Sequence, residues 1–282
     1  MNNSILVVTL GITLAICLAA TKIAGDAQYE YKKTDESLKK IEASIEAEKP
    51  QGKSFYSQYS VEKLKENYIP YTVIGDKKII NVPILNQYPE LPTGCEITSA
   101  TAILNYIGFN VDKVYMQENF LEQNSDFHLN SANERVGPDP GNYFVGNPKK
   151  NGFGCFSSVI TDSLNKFFSE NGSKNHAINL IDADQYALED LLNNGVPIEV
   201  WASIDMKPFK YSEKNQWILE NTGETFNWSS NSHTLVLIGY DEENYYFSDC
   251  NNENVVTSYK KKDFLARWEE YGRQAVIVKI NR

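Results

Sequence analysis

The sequence predicts an α+β domain, with helices early and an antiparallel, hairpin-rich sheet late. Three observations carry this. Helix-spaced apolar stripes at residues 94–107 and 185–194 are closed by Gly108 and Gly195. Runs rich in β-branched and aromatic residues concentrate in the C-terminal half. Two of these runs, in HTLVLIGYDEENYYFSD at 233–249, are separated by the short polar stretch Asp241–Asn244, as in a hairpin.

Taken in order, residues 4–20 form an uncharged apolar run followed by Lys22. Residues 1–25 are therefore expected to be a secretory signal peptide or an N-terminal membrane anchor, which places the rest outside the cell, free or anchored. Cys17 reads as a buried apolar residue rather than a lipid attachment site, because Ile16 is bulkier than the small residue expected there. Residues 26–77 are polar and charged, with Leu38, Ile41 and Ile45 at helical spacing. They read as a helical stalk or linker, or alternatively as an inhibitory pro-segment.

The compact domain is expected over 78–282, opening with the strand-like Ile79–Leu85. Helical patterns follow at Gly94–Ile107, Phe156–Phe168, Gln185–Asn194 and Lys262–Tyr271. Strands are expected at Ala177–Ile181, Val196–Ile204, Thr234–Gly239, Tyr245–Asp249 and Gln274–Ile280. The Asn-, Asp-, Gly- and Pro-rich stretch from Phe109 to Gly152 predicts a long functional loop. Its segment 136–148, with Trp201, Trp217 and Trp228, is a candidate substrate lining, although aromatic residues are core more often than not.

A hydrophobic content of 41% fits one packed domain, expected to be monomeric, in a chain of 282 residues. The formal net charge of -10, from 37 acidic and 27 basic residues, argues against a nucleic-acid partner. Cys95, Cys155 and Cys250 are an odd number for an exported domain, so one free thiol is expected.

Chemistry concentrates in LPTGCEITSATAILNYIG at 91–108. Thr93 and Glu96 have the spacing of a capping box, which puts Cys95 in the first helical turn. Unpaired backbone N–H groups and the helix dipole there favour a thiolate. The alternative is a small buried cysteine. A nucleophilic thiol needs a base, and the choices are His128, His176 and His233. The first two lie in polar segments and read as solvated positions. His233 stands at the root of the predicted hairpin, which returns Asp249 to within a rung or two of it. A carboxylate there would fix the imidazole tautomer, with Asn251 a weaker candidate for that task. Asp249 could equally begin the turn that follows it. Gln87, eight residues before Cys95, can supply an oxyanion donor beside the Cys95 N–H. No cofactor or metal is expected: Cys95, His233 and Asp249 lack the short ligand spacing that marks zinc.

These segments resemble the papain-like cysteine peptidases, specifically the stand-alone branch similar to bacteriocin-processing double-glycine peptidases, cysteine-peptidase family thirty-nine. The carriers are VPILNQYPELPTGCEITSATAILNYIG, DPGNYFVGNP with GFGCFSSVI, GVPIEVWASI and HTLVLIGYDEENYYFSD, in the family's order across residues 79–282. The resemblance implies a papain-like fold, Gln87 in the oxyanion hole, Cys95 as nucleophile, His233 as base and Asp249 as its orienting carboxylate. It departs from the family at Asp249-Cys250, where Asp-Pro is usual. Bacteriocin-processing members are fused to exporters and act in the cytosol, which the apolar N-terminal segment contradicts. Cys155 and Cys250 are candidates for a disulfide near the site. The expected activity is hydrolysis of a peptide or isopeptide bond, in a peptide or a cell-wall peptide. A cell-wall amidase or transpeptidase, or a non-catalytic surface module on the same fold, are the alternatives.

Overall fold

The computed structural model describes residues 72–74, 77–180, 183–252 and 255–281. The expected signal or anchor segment and nearly all of the expected stalk lie outside the described residues. Among the described residues no helix is long and apolar enough to cross a membrane.

Among the described residues there are five α-helices: α1 (Cys95–Tyr106), α2 (Lys113–Asn119), α3 (Ser157–Glu170), α4 (Gln185–Asn193) and α5 (Lys261–Glu270). The strands of the first half are β1 (Thr72–Ile74), β2 (Lys77–Ile79), β3 (Gln123–Asn124), β4 (His128–Leu129), β5 (Arg135–Gly137) and β6 (Phe144–Val145). Those of the second half are β7 (His176–Leu180), β8 (Ile198–Ser203), β9 (Gln216–Leu219), β10 (Thr225–Asn227), β11 (Ser232–Tyr240), β12 (Asn244–Ser248), β13 (Val256–Lys260) and β14 (Ala275–Lys279).

The main sheet runs β1-β2-β11-β8-β14-β7, with β12 on the other edge of β11 and β13 beyond it. All its pairings are antiparallel. The mixed α+β composition predicted from the sequence is the one observed. Each expected helix and strand after Gly94 is present with ends shifted by one or two residues. The strand expected over Ile79–Leu85 does not form: only Ile79 lies in a strand, as the last residue of β2. Ladder pairing stops at Ile79, and Ile80 continues only through its N–H to the Ile238 carbonyl at 2.8 Å.

All six residues of β8 are buried, so the sheet is covered on both faces. Phe264 of α5 packs on Tyr245 and Phe247 of β12, and the Tyr245 hydroxyl donates to Glu189 of α4 at 2.8 Å. α1 packs along β11 and is itself buried almost all round, not only along the stripe Ile97, Ala100, Ile103 and Leu104. Its polar positions find internal partners instead: the Ser99 hydroxyl donates to the Thr234 carbonyl and that of Thr101 to Ile97. Each fully buried Ile or Leu here contributes about 2 kcal/mol through removal from water. The nucleophile candidate therefore sits on a helix held rigidly in the core.

The Phe109–Gly152 stretch is not one loop. It holds α2 and the short β3, β4, β5 and β6; β4 and β5 join β9 and β10 in a second, four-stranded sheet. That sheet carries its own apolar cluster around Val145, Trp217, Leu219 and Trp228. Arg135 lies over the Phe127 ring at 3.8 Å, and the Trp217 indole donates to the Pro138 carbonyl at 2.9 Å.

Candidate active site

Cys95 is the first residue of α1, with Gly94 as N-cap and no side-chain capping bond. The capping box expected from Thr93 and Glu96 does not form. The Thr93 hydroxyl instead accepts from the Gly152 N–H at 3.1 Å and ties down the loop that ends there. The Glu96 side chain turns inward, where its Oε1 accepts the Cys155 N–H at 3.0 Å and its Oε2 accepts from the Cys95 thiol at 3.3 Å. Gly154 makes this possible: a Cβ there would lie 2.4 Å from Glu96 Oε1, and its φ of +144° favours glycine.

The hairpin of β11 and β12 pairs Val236 with Ser248, so the chain returns Asp249 beside His233. His233 Nε2 and Asp249 Oδ1 are 2.7 Å apart, and both side chains are buried. Burial alone would raise the Asp249 carboxyl. The His233 hydrogen bond and charge, with donors from the Asn251 N–H and the Asn252 amide, overcome it and hold the carboxyl below its ordinary value. Asn251, the weaker candidate for orienting His233, thus bonds to Asp249 through its backbone N–H.

Gln87 is buried at 4% exposure and clamped on three sides. Its Nε2 donates to the Pro92 carbonyl at 2.9 Å, its Oε1 accepts from the Cys250 thiol at 3.2 Å, and its backbone N–H donates to the Cys250 carbonyl at 2.9 Å. Because a carbonyl can only accept, the Pro92 contact fixes which end of the amide is nitrogen.

Gln87, Cys95 and His233 line one cleft of about 320 Å³, with Phe153, Trp228 and Ile204 as its apolar wall. Segment 136–148 contributes nothing to this lining, and Trp201 and Trp217 are core. His128 is exposed on β4 and His176 half-buried on β7, away from the cleft. Cys155 and Cys250 are free thiols, not a disulfide. The Cys250 sulfur is instead taken up beside Gln87. Cys155 is held through its backbone between Glu96 and the Trp201 indole, which donates to its carbonyl at 2.8 Å.

The electrostatics at the sulfur reverse one expectation. Burial, then the neighbouring Glu96 charge, push the Cys95 thiol well above its ordinary value, although the Thr234 backbone works the other way. The helix terminus alone does not make a thiolate here.

A cysteine opening a buried helix, in one cleft with a sheet-borne histidine that is bonded to a carboxylate, marks a cysteine-peptidase type of fold. The chain belongs to the Peptidase_C39 like family, which it matches over residues 79–276. It is 26% identical to the uncharacterized protein YvpB of Bacillus subtilis (strain 168), over 72% of this chain and 77% of that protein. It also superimposes with a TM-score of 0.63 on the crystal structure of a C39-like peptidase from Bacillus anthracis, at 26% identity, over 74% of this chain and 99% of the other.

Proposed function

We propose that the protein is an extracytoplasmic cysteine hydrolase that cleaves an amide bond in a peptide or cell-wall peptide through a thioester on Cys95. The observation that carries this reading is the 2.7 Å bond between His233 Nε2 and Asp249 in the cleft shared with Cys95 and Gln87. A carboxylate on Nε2 fixes the tautomer and leaves Nδ1 to take the thiol proton. The sulfur then bonds to the carbonyl carbon, and the oxygen that gains charge is met by the Gln87 amide and the Cys95 N–H. Collapse breaks the C–N bond, with His233 giving its proton to the leaving amine. Water, deprotonated by His233, hydrolyses the thioester and restores the thiol. Residues 1–25 serve as signal or anchor in this reading, which places the cleft outside the cell.

The test is to incubate the full-length protein with a peptide library and with muropeptides, and to read the products by mass spectrometry. Wild type should release fragments and Cys95→Ala none, with unchanged thermal unfolding. Cleavage that persists in Cys95→Ala would sink the reading. Peptide binding in the cleft without any product would favour the non-catalytic surface module.

A further inference from the structure

Glu96 is the buried group that the reaction above leaves unused. It sits directly under the sulfur, 2% exposed, with one carboxyl oxygen on the Cys155 N–H and the other on the Cys95 thiol. A glycine at 154 makes room for it. On β8, Glu199 is fully buried and neither of its oxygens has a hydrogen-bond partner. A charge placed there would be uncompensated, so Glu199 is held as the neutral acid.

We propose that Glu96 is a positioning residue that gates the nucleophile by its own protonation: ionised, it holds the Cys95 thiol as its hydrogen-bond donor, and protonated, it donates to the thiolate. This rests on the reading of Cys95 as nucleophile. In the gated state the proton stays on sulfur, because a thiolate 3.3 Å from a carboxylate in a poorly solvated site is strongly opposed. When Glu96 takes a proton from solvent, the thiol proton can pass to His233 Nδ1, and the Glu96 hydroxyl then donates to the sulfur. Loss of the Glu96 proton returns the imidazolium proton to sulfur.

The groups acting on or facing Glu96 are Cys95 on α1, the Cys155 segment before α3, Glu199 on β8, His233 on β11, Cys250 after β12 and Tyr271 after α5. The one positive charge among those acting on Glu96 is that of protonated His233. Burial, against the backbone N–H donors, the Cys95 thiol and then the His233 charge, leaves the Glu96 carboxyl at about 7, within reach of small changes of pH. The nucleophile is therefore freed on the acid side of neutrality.

The experiment reads labelling of Cys95 by iodoacetamide from pH 5.5 to 9, located by mass spectrometry, in wild type and in Glu96→Gln. Glutamine is isosteric: its oxygen can keep the Cys155 N–H while its NH2 donates to sulfur as the protonated acid would. Wild-type labelling should fall as pH rises through about 7 and climb again only in alkali. Glu96→Gln should lose that fall and label at pH 8 about tenfold faster than wild type, matching it within about twofold at pH 6. Equal rates of the two proteins at pH 8 would overturn the proposal. Should Glu96→Gln fail to fold by circular dichroism, wild type still decides, since a steady rise of its rate with pH contradicts the gate. Labelling needs no turnover, so a gate found in a protein that cleaves nothing rejects the hydrolase reading alone.

Discussion

At the residue scale, the two carboxyls that act on this site respond to pH in opposite senses. Asp249 is held below its ordinary value, so its contribution to stability is complete above the ordinary carboxylate range and is lost as pH falls through its folded-state value. Glu96 is raised from 4.5 to about 7, so the folded state holds its proton more tightly than the unfolded state does. Stability is then highest in mild acid and declines as pH rises from 4.5 through about 7, by about 3 kcal/mol from this group. Urea unfolding at pH 5 and pH 8 should show that decline in wild type and a smaller one in Glu96→Gln. An equal decline in both would place the cost elsewhere, with Glu199 the next group to replace. The sequence singles out Gln87, Cys95, His233 and Asp249 as polar or titratable residues beside turns or element ends, and the fold brings the first three to one cleft with Asp249 bonded to His233. Glu96 was misread as a cap because the Thr93 spacing is local, whereas its real partner, the Cys155 N–H, arrives from 59 residues away. Glu199 left a plainer signal, a charged residue inside the apolar run VPIEVWASI.

At the scale of elements, long segments with clear periodicity matched their predictions, and short ones did not. β3 through β6, β9 and β10 are two to four residues long and have no period to detect; they exist through pairing, local between β4 and β5 and between β9 and β10, and distant where β5 meets β9. β13 was missed for a related reason, being an outlying strand with no buried residue along it. Pairing also explains one glycine inside a strand. β2 lies against Gly239 and Tyr240, the end of β11 that β8 does not reach, and a Cβ at Gly239 would stand 2.5 Å from the Lys78 carbonyl. The register slips between Leu237 and Gly239 at the same place. Gly239→Ala should therefore force β2 away from β11 and cost about 1–3 kcal/mol. Chemical denaturation measures the cost, and hydrogen exchange at the Ile80 N–H shows whether the loss lies at this junction. An unchanged midpoint would mean that β2 follows the sheet without resisting.

For the molecule as a whole, the candidate site lies where two cores meet. The main cluster carries α1 and β11, while the smaller aromatic cluster supplies Trp228 and Phe153 to the cleft wall. Such division is invisible in a linear pattern, which showed one domain and an irregular loop. A chain with formal net charge -10 surrounds this cleft, yet its lining contains no Asp, Glu, Lys or Arg. For the hydrolase proposed above, encounter with a substrate is therefore not steered by charges in the cleft. Capture should proceed at the roughly 10⁵–10⁶ M⁻¹s⁻¹ of unassisted docking, and salt between 0.05 and 0.5 M should change KM by less than about twofold for a neutral peptide. A KM that rises steeply with salt would show that attraction from charges beyond the cleft gathers the substrate first. Selection by this surface then falls to shape and amide hydrogen bonding, properties that survive unchanged in media as different as brine and rainwater.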